Sequence, residues 1–234
     1  MKVVILAGGF GTRLSEYTKT IPKPMVPVNG KPILIRIMNH FYNAGFKDFY
    51  IALGYKGHVI KNFFKKNITK NWNINLIETG KNTMTGGRLK RLKKYLGNEI
   101  FFMTYGDGIS DVNLKKLLIF HKKNNKLVTV TAVRPPSRFG FLKIKKNIVS
   151  YFKEKENLDE GWINGGFFII NPNFFKYIKG DKTLLEKEPL ETIVKKNQLS
   201  AFKHLNFWHC MDTLRDKIIL DKLLKKKKFK KIFD

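Results

Sequence analysis

The sequence predicts an α/β fold: a mixed, mainly parallel sheet flanked by helices, with additional short strands in its second half. Three observations predict it. Val3, Val4, Ile5 and Leu6 form an apolar run without alternation, as in a strand covered on both faces. Strand-sized apolar runs then alternate with helix-period patterns through residue 133, the order that builds a parallel sheet with helices on both faces. Beyond residue 140 the pattern changes to short strands with short connections.

Each element has its own justification. After the strand at 2–7 comes a Gly-rich loop, Gly8 to Arg13. Residues 32–44 read as a helix because Ile33, Leu34, Ile37, Met38 and Phe41 share one face. Residues 49–53 are a second short strand. Val59, Ile60, Phe63 and Phe64 mark a second helix, and 74–78 is strand-like. Leu89, Leu92 and Leu96 give a third helix, placed after Gly86-Gly87. An apolar strand at 100–105 runs into Gly106-Asp107-Gly108. Leu114, Leu117, Leu118 and His121 form a helix face with Asp111 as its cap, and 127–133 alternates as a strand. In the second half, 141–144, 148–152 and 163–170 read as strands. A helix carries Leu184, Leu185, Leu190, Ile193 and Val194. Two short strands follow, near 201–204 and 207–211. A closing helix from Leu214 turns Ile218, Ile219, Leu223 and Leu224 inward, and 225–231 reads as a basic tail. No linker or internal repeat divides the chain, so one domain over 1–234 is expected.

The charge is unusual. The chain has 234 residues, with 46 Lys and Arg against 18 Asp and Glu, a net +28. Such an excess attracts polyanions: nucleic acid, acidic membrane or phosphorylated small molecules. It does not choose among them, and a chain also rich in Asn, Ile and Phe fits a genome-wide drift in codon usage equally well. With 43% hydrophobic and 13% aromatic residues, a disordered chain is excluded. No stretch approaches the roughly 18 consecutive apolar residues of a membrane helix. The first residues lack the long apolar segment and cleavage site of a signal peptide, and a single Cys excludes an internal disulfide framework. A cytoplasmic protein that does not engage a membrane is expected.

Strand, Gly8-Gly9-Phe10-Gly11-Thr12-Arg13, then a turn or helix start is an architecture that binds phosphates. Glycines let backbone N–H groups approach anionic oxygens, and a helix N-terminus adds positive potential. A dinucleotide fingerprint fails, because it needs Gly where Leu14 stands and an acid near Val28-Asn29-Gly30-Lys31. A P-loop fails as well, since Gly11-Thr12-Arg13 replaces Gly-Lys-Ser/Thr. A plain Gly-rich turn stays open for so short a motif. Arg13 on the loop and Lys23 between Pro22 and Pro24 weigh against it: both prolines favour an extended chain that aims Lys23 at one place.

Leu6-Ala7-Gly8-Gly9-Phe10-Gly11-Thr12-Arg13-Leu14 followed by Pro22-Lys23-Pro24 resembles the signature of the sugar-phosphate nucleotidylyltransferases. Further segments resemble the glucose-1-phosphate cytidylyltransferase branch: residues 83–91 (TMTGGRLKR), 104–108 (TYGDG), 138–140 (RFG), 164–168 (NGGFF), 188–190 (EPL) and 211–216 (MDTLRD). The resemblance runs from Met1 to about Leu224. It implies a Rossmann-like sheet, with a nucleotide-binding part over about 1–133, a sugar-phosphate-binding part over about 134–224 and a basic tail at 225–234. The segment between Phe64 and Thr79 is shorter than in the family, at a place near the nucleotide and a subunit contact, so a homo-oligomer stays an open expectation. The family's Glu-Lys-Pro reads Glu154-Lys155-Glu156.

The implied reaction is attack by a sugar 1-phosphate oxygen on the α-phosphorus of a nucleoside triphosphate, with pyrophosphate leaving. Two polyanions must meet, so catalysis is positioning and charge neutralisation. The resemblance makes Asp107 and Asp212 the Mg²⁺ ligands; Mg²⁺ favours one or two carboxylates plus phosphate oxygens and water. Taken alone, an Asp after a strand is more often a turn residue. Leu6 to Arg13 and Lys23 would bind the nucleotide, with Arg13 and Lys23 as the catalytic cations. Thr83, Gly87 and Arg88 would face the base, though a Gly pair before Arg is otherwise a plain helix start. Tyr105 and Gly106 would complete the nucleotide site, or Tyr105 is merely a strand-end aromatic. Glu154 and Lys155 would hold the sugar phosphate, and Asn164 and Gly165 the sugar hydroxyls, a missing side chain giving room. Cys210 has no evident base and reads as packing. The expected partners are a nucleoside triphosphate, CTP, and glucose 1-phosphate. The same chemistry on another nucleotide or acceptor is the alternative. A polyanion- or nucleic-acid-binding protein is the alternative from another class; no RNP-type, zinc or helix-turn-helix signature favours it.

Overall fold

The computed structural model describes residues 1–67, 71–135, 140–153 and 161–234. The chain opens with β1 (Lys2–Leu6), a short 3-10 turn at Thr12–Leu14, α1 (Ser15–Thr18), β2 (Pro27–Val28), β3 (Lys31–Pro32) and α2 (Ile33–Asn43). There follow β4 (Asp48–Leu53), α3 (Gly57–Lys66), β5 (Asn73–Glu78), α4 (Thr85–Leu96), β6 (Phe101–Tyr105), β7 (Gly108–Ser110), α5 (Leu114–Asn124) and β8 (Val128–Val133). The second half holds β9 (Phe141–Lys145), β10 (Ile148–Lys153), β11 (Ile163–Ile170), α6 (Glu188–Lys195), β12 (Leu199–His204), β13 (Trp208–Cys210), α7 (Leu214–Leu223) and α8 (Lys227–Phe233).

Seven strands form the central sheet in the order β12-β8-β11-β6-β1-β4-β5. Every neighbouring pair is parallel except the two pairs made by β11, which runs antiparallel to both β6 and β8. The sheet buries both faces. Val3 and Ile5 join the core beneath α2, while Val4 and Leu6 join the one beneath α4. That two-sided burial is why the run at 3–6 is apolar without alternation. No helix among the described residues is long and apolar enough to cross a membrane.

Several local readings are corrected. Gly86 and Gly87 do not precede the third helix; they lie in its first turn. A Cβ on Gly87 would stand 2.5 Å from the Asp181 α-carbon, so the pair lets the 181–185 segment cross the helix start closely. The cap of α5 is Asn113, whose side chain accepts from Lys116 N at 2.9 Å, whereas Asp111 faces His204 Nε2 at 3.0 Å. Leu184 and Leu185 precede α6, and Val194 on α6 is exposed. On α7, Leu220 turns inward and Ile218 outward.

The largest difference lies at 225–234. Among all those lysines, Phe229 and Phe233 are buried, and they make 227–233 a helix packed on α2 instead of a solvated tail. The Phe229 ring lies 4.4 Å from that of Phe207. Arg36, 1% exposed, donates to Asp234 Oδ1 at 2.6 Å, and Asn39 donates to the Phe233 carbonyl at 2.9 Å. The lysines are the solvent side of an amphipathic turn.

Candidate active site

Strands β1 and β6 are adjacent, with Leu6 opposite Tyr105, so the loops leaving their carboxyl ends meet. Chain order reverses across this pair, β4 and β5 lying on one side and β6 on the other. Open α/β sheets place ligands at such a switch point. A cavity of about 600 Å³ opens there. Its lining includes Leu6 through Arg13, Lys23, residues 81–85, Tyr105, Gly106, Asp107, Lys182 and Leu184.

Lys23 stands at one wall. Pro22 is extended, with ψ 148°, but Lys23 does not continue an extended run: it opens a tight 3-10 turn, Lys23–Met25. The turn aims its ammonium at two carboxylates, Asp107 Oδ2 at 2.7 Å and Asp212 Oδ1 at 2.7 Å. Arg13 Nη1 approaches the other Asp212 oxygen at 3.1 Å. Four residues singled out from the sequence therefore meet at one point. The pairing of β7 with β13 brings the two aspartates together, for Cys210 lies opposite Gly108 and Met211 N donates to the Asp107 carbonyl at 2.8 Å. Asp216, buried in the first turn of α7, accepts from the backbone N–H of Asp212 at 3.1 Å and of Thr213 at 2.8 Å, which fixes the loop carrying Asp212.

The charges are mutually stabilised. Burial alone would lower the Lys23 pKa; Asp107 and Asp212 outweigh it and hold the ammonium above its ordinary value. Burial alone would raise Asp212; hydrogen bonding to Lys23 and the charges of Lys23 and Arg13 hold it below the usual carboxylate range. Cys210 is pushed up to about 12 by burial and by the two aspartates, so its thiol stays protonated and is no nucleophile. Two carboxylates converging on one cation are a donor set that fits Mg²⁺, which takes its remaining ligands from phosphate and water. Among the described residues no group of three or more His, Cys, Asp or Glu gathers as a metal cage.

Not every expected residue sits as the sequence suggested. Thr83 lines the cavity and is buried. Gly87 does not: it faces the 181–183 segment. Arg88 borders the cavity, and its two terminal nitrogens donate to main-chain carbonyls of Gly8, Leu53, Gly80 and Lys81 and to the Thr79 hydroxyl. Tyr105 is more than a strand-end aromatic. Its hydroxyl donates to Glu186 Oε1 at 2.5 Å, and burial together with the Glu186 charge raises its pKa. Asn164 is exposed and accepts from Gly166 N at 2.8 Å. Gly165 gives no room to a ligand, because a Cβ there would meet Val133 Cγ1 at 2.8 Å; the glycine serves the approach to β8. Glu154, Lys155, Arg138 and Phe139 lie outside the described residues.

Sequence reasoning missed Lys81, Lys182 and Glu186. Lys81 and Lys182 line the cavity. Glu186 joins Tyr105 to Thr85, whose hydroxyl donates to it at 2.7 Å. In so lysine-rich a chain the two lysines carry no distinguishing signal. The glutamate lies just upstream of Glu188-Pro189-Leu190, and no local spacing links it to Tyr105, 81 residues away.

The family model described as nucleotidyl transferase matches residues 2–211. A glucose-1-phosphate cytidylyltransferase of Salmonella typhimurium is 46% identical over 97% of this chain and 97% of its own. A probable glucose-1-phosphate cytidylyltransferase of Bacillus subtilis is 38% identical over 95% of this chain and 96% of its own. Among solved structures, HddC from Yersinia pseudotuberculosis complexed with GMP-PN superimposes with a TM-score of 0.76 at 27% identity, covering 95% of this chain and 99% of that one. With a Gly-rich cavity at the sheet's switch point and a family match over most of its length, the chain belongs to the nucleotidyl transferase family.

Proposed function

We propose that the protein transfers the cytidylyl group of CTP to α-D-glucose 1-phosphate, giving CDP-glucose and pyrophosphate. The convergence of Arg13, Lys23, Asp107 and Asp212 beside a Gly-rich loop supports the reaction class. The choice of nucleotide and sugar is carried by the near full-length likeness to the Salmonella typhimurium glucose-1-phosphate cytidylyltransferase.

A phosphate oxygen of glucose 1-phosphate attacks the α-phosphorus of CTP, and the bond from that phosphorus to the bridging oxygen of the β-phosphate breaks. Backbone N–H groups of the Gly8–Gly11 loop receive the triphosphate. Arg13 and Lys23 offset the charge that builds on departing pyrophosphate, and a positioned cation of this kind is worth far more in a partly dry site than in water. Asp107 and Asp212 would hold Mg²⁺, which when bound supplies positive charge to the phosphate oxygens. Lys23, 2.7 Å from each carboxylate, would turn to the phosphates. Lys155, with Glu154, would take the sugar phosphate, and Asn164 a sugar hydroxyl. Thr83 would meet the base.

A panel of the four ribonucleoside triphosphates and dTTP crossed with several sugar 1-phosphates, with Mg²⁺, tests the reading through pyrophosphate release. CTP with glucose 1-phosphate should lead. A clear preference for UTP, GTP or dTTP sinks the cytidylyl assignment and leaves the class. No turnover by any pair, together with tight, salt-sensitive binding to nucleic acid, favours a polyanion-binding protein.

A further inference from the structure

Strands β7 and β13 bring the two aspartates together, yet they have little of their own to keep them in register. Each is three residues long, and no turn joins them in the chain. A two-stranded ribbon is marginal in water even when a turn closes it. A slip of one residue would carry Asp212 roughly 3.3 Å past Asp107 and turn the side chains of β13 to the opposite face. Lys23 could then no longer hold both carboxylates at 2.7 Å. The register must be fixed from outside the ribbon.

The end of the ribbon away from the aspartates carries a polar clasp. The carbonyl of Phe207, just before β13, accepts from Ser110 Oγ at 2.9 Å, from Asp111 N at 3.1 Å and from His204 Nε2 at 3.2 Å. A carbonyl oxygen has two lone pairs, and here three donors converge on one. His204 Nε2 also lies 3.0 Å from Asp111 Oδ1. Both of its partners are acceptors, so Nε2 bears the proton and shares it between them. His204, 7% exposed, is the last residue of β12, which pairs with β8 along all six of its residues. The clasp thus ties the short ribbon to the central sheet. From the helix layer, His40 Nε2 on α2 meets the Val112 carbonyl at 3.0 Å and holds the same segment.

We infer that His204, with Asp111, is a positioning residue for the Asp107–Asp212 pair: the clasp on the Phe207 carbonyl sets the register of β13 on β7, and with it the separation of the two carboxylates. It acts at a distance. Ser110 is three residues along the strand from Asp107, roughly 10 Å, and none of Ser110, Asp111, His204 and Phe207 lines the cavity. The inference rests on the proposed nucleotidyl transfer, in which the pair would hold Mg²⁺.

Two measurements test it. Amide hydrogen exchange in the metal-free protein follows the Met211 N–H, which donates to the Asp107 carbonyl at 2.8 Å and so reports the register directly. Turnover of CTP and glucose 1-phosphate against Mg²⁺ concentration reports how well the carboxylates meet a cation. His204→Phe keeps a buried ring and removes the donor. It should speed exchange at Met211 roughly 10-fold or more while the amides of β1 stay as protected as before. It should also raise the Mg²⁺ concentration for half-maximal rate and lower kcat roughly 10–100-fold with little change in KM for CTP, as a small misplacement made far from the chemistry does. His204→Gln supplies an N–H donor and should recover most of both readings. Asp111→Ala removes the carboxylate partner of Nε2; it should move both readings the same way by a smaller factor, and it serves if His204→Phe does not fold. If the variants fold, lose thermal stability and keep the wild-type Met211 exchange and Mg²⁺ requirement, the clasp is structural only and the inference is overturned. Equal losses in His204→Phe and His204→Gln overturn it as well, because the donor is then not what matters. A wild type that turns over no nucleotide with any sugar phosphate overturns the proposed reaction instead. Met211 exchange then decides the clasp alone: faster exchange in His204→Phe upholds it, and unchanged exchange overturns it.

Discussion

Lys23 is one of 46 basic residues, so removing it barely alters the overall field. Its local effect should be large. Lys23→Ala takes away the shared partner of Asp107 and Asp212 and should slow turnover roughly 10²–10³-fold, read as kcat at saturating CTP. Asp107→Asn and Asp212→Asn each keep size and remove a charge; each should abolish most activity with an unchanged circular dichroism spectrum. The double variant should be little worse than either single one, because the pair acts as one cation site. Full activity in either single variant would reduce that aspartate to a turn residue. This foursome was legible in the sequence because each member sits in a short motif with its own chemistry. Arg88 is less legible for the converse reason. Its motif is conspicuous, but the direction of its fork depends on carbonyls from residues 8, 53, 80 and 81, which no local spacing reveals.

Among the elements, α8 carries the clearest consequence. Phe233 is fully buried against α2, and Phe233→Ala should cost about 3–5 kcal/mol of unfolding free energy. A denaturant midpoint unchanged from wild type would mean that the helix is not docked in solution. The same interface makes stability depend on pH. His40 on α2 lies 5.8 Å ring to ring from Phe233, and its Nε2 meets the Val112 carbonyl at 3.0 Å. Burial, outweighing that hydrogen bond, depresses its pKa from 6.5 to about 4. The unfolded chain therefore binds the extra proton first, and stability is complete above about pH 6.5 and lost as pH falls toward 4. The loss should be of the order of 3 kcal/mol, and His40→Gln should flatten the profile between pH 6.5 and 4. A wild-type profile equally flat there would show His40 free to ionise in the fold. The sequence concealed α8 because six lysines dominate residues 225–231, and two phenylalanines four residues apart are a weak period. By contrast, α2 was plain, since five apolar residues on one face are a strong one.

At the scale of the molecule, strand and helix alternation made the parallel half of the sheet readable, and the change of pattern after residue 140 marked the added strands. The antiparallel insertion of β11 between β6 and β8 was not readable. Order within a sheet is a relation among distant segments, whereas apolar periodicity reports only that a strand is covered. The place of the cavity was legible in part, for the Gly-rich loop after β1 and Asp107 after β6 both line it.

The docking of α8 on α2 also bears on how the chain is made. Asn39 and the Phe233 carbonyl that it holds are 194 residues apart. While the polypeptide leaves the ribosome, the face of α2 that carries Arg36, Asn39 and His40 emerges early and must wait for nearly all the intervening sequence before α8 arrives to cover it. Strand β13, which seats Asp212 beside Asp107, is equally late. A growing chain therefore passes through a long interval with the seat of Phe229 and Phe233 uncovered and Asp107 without Asp212, the state in which collisions between chains lead to clumping.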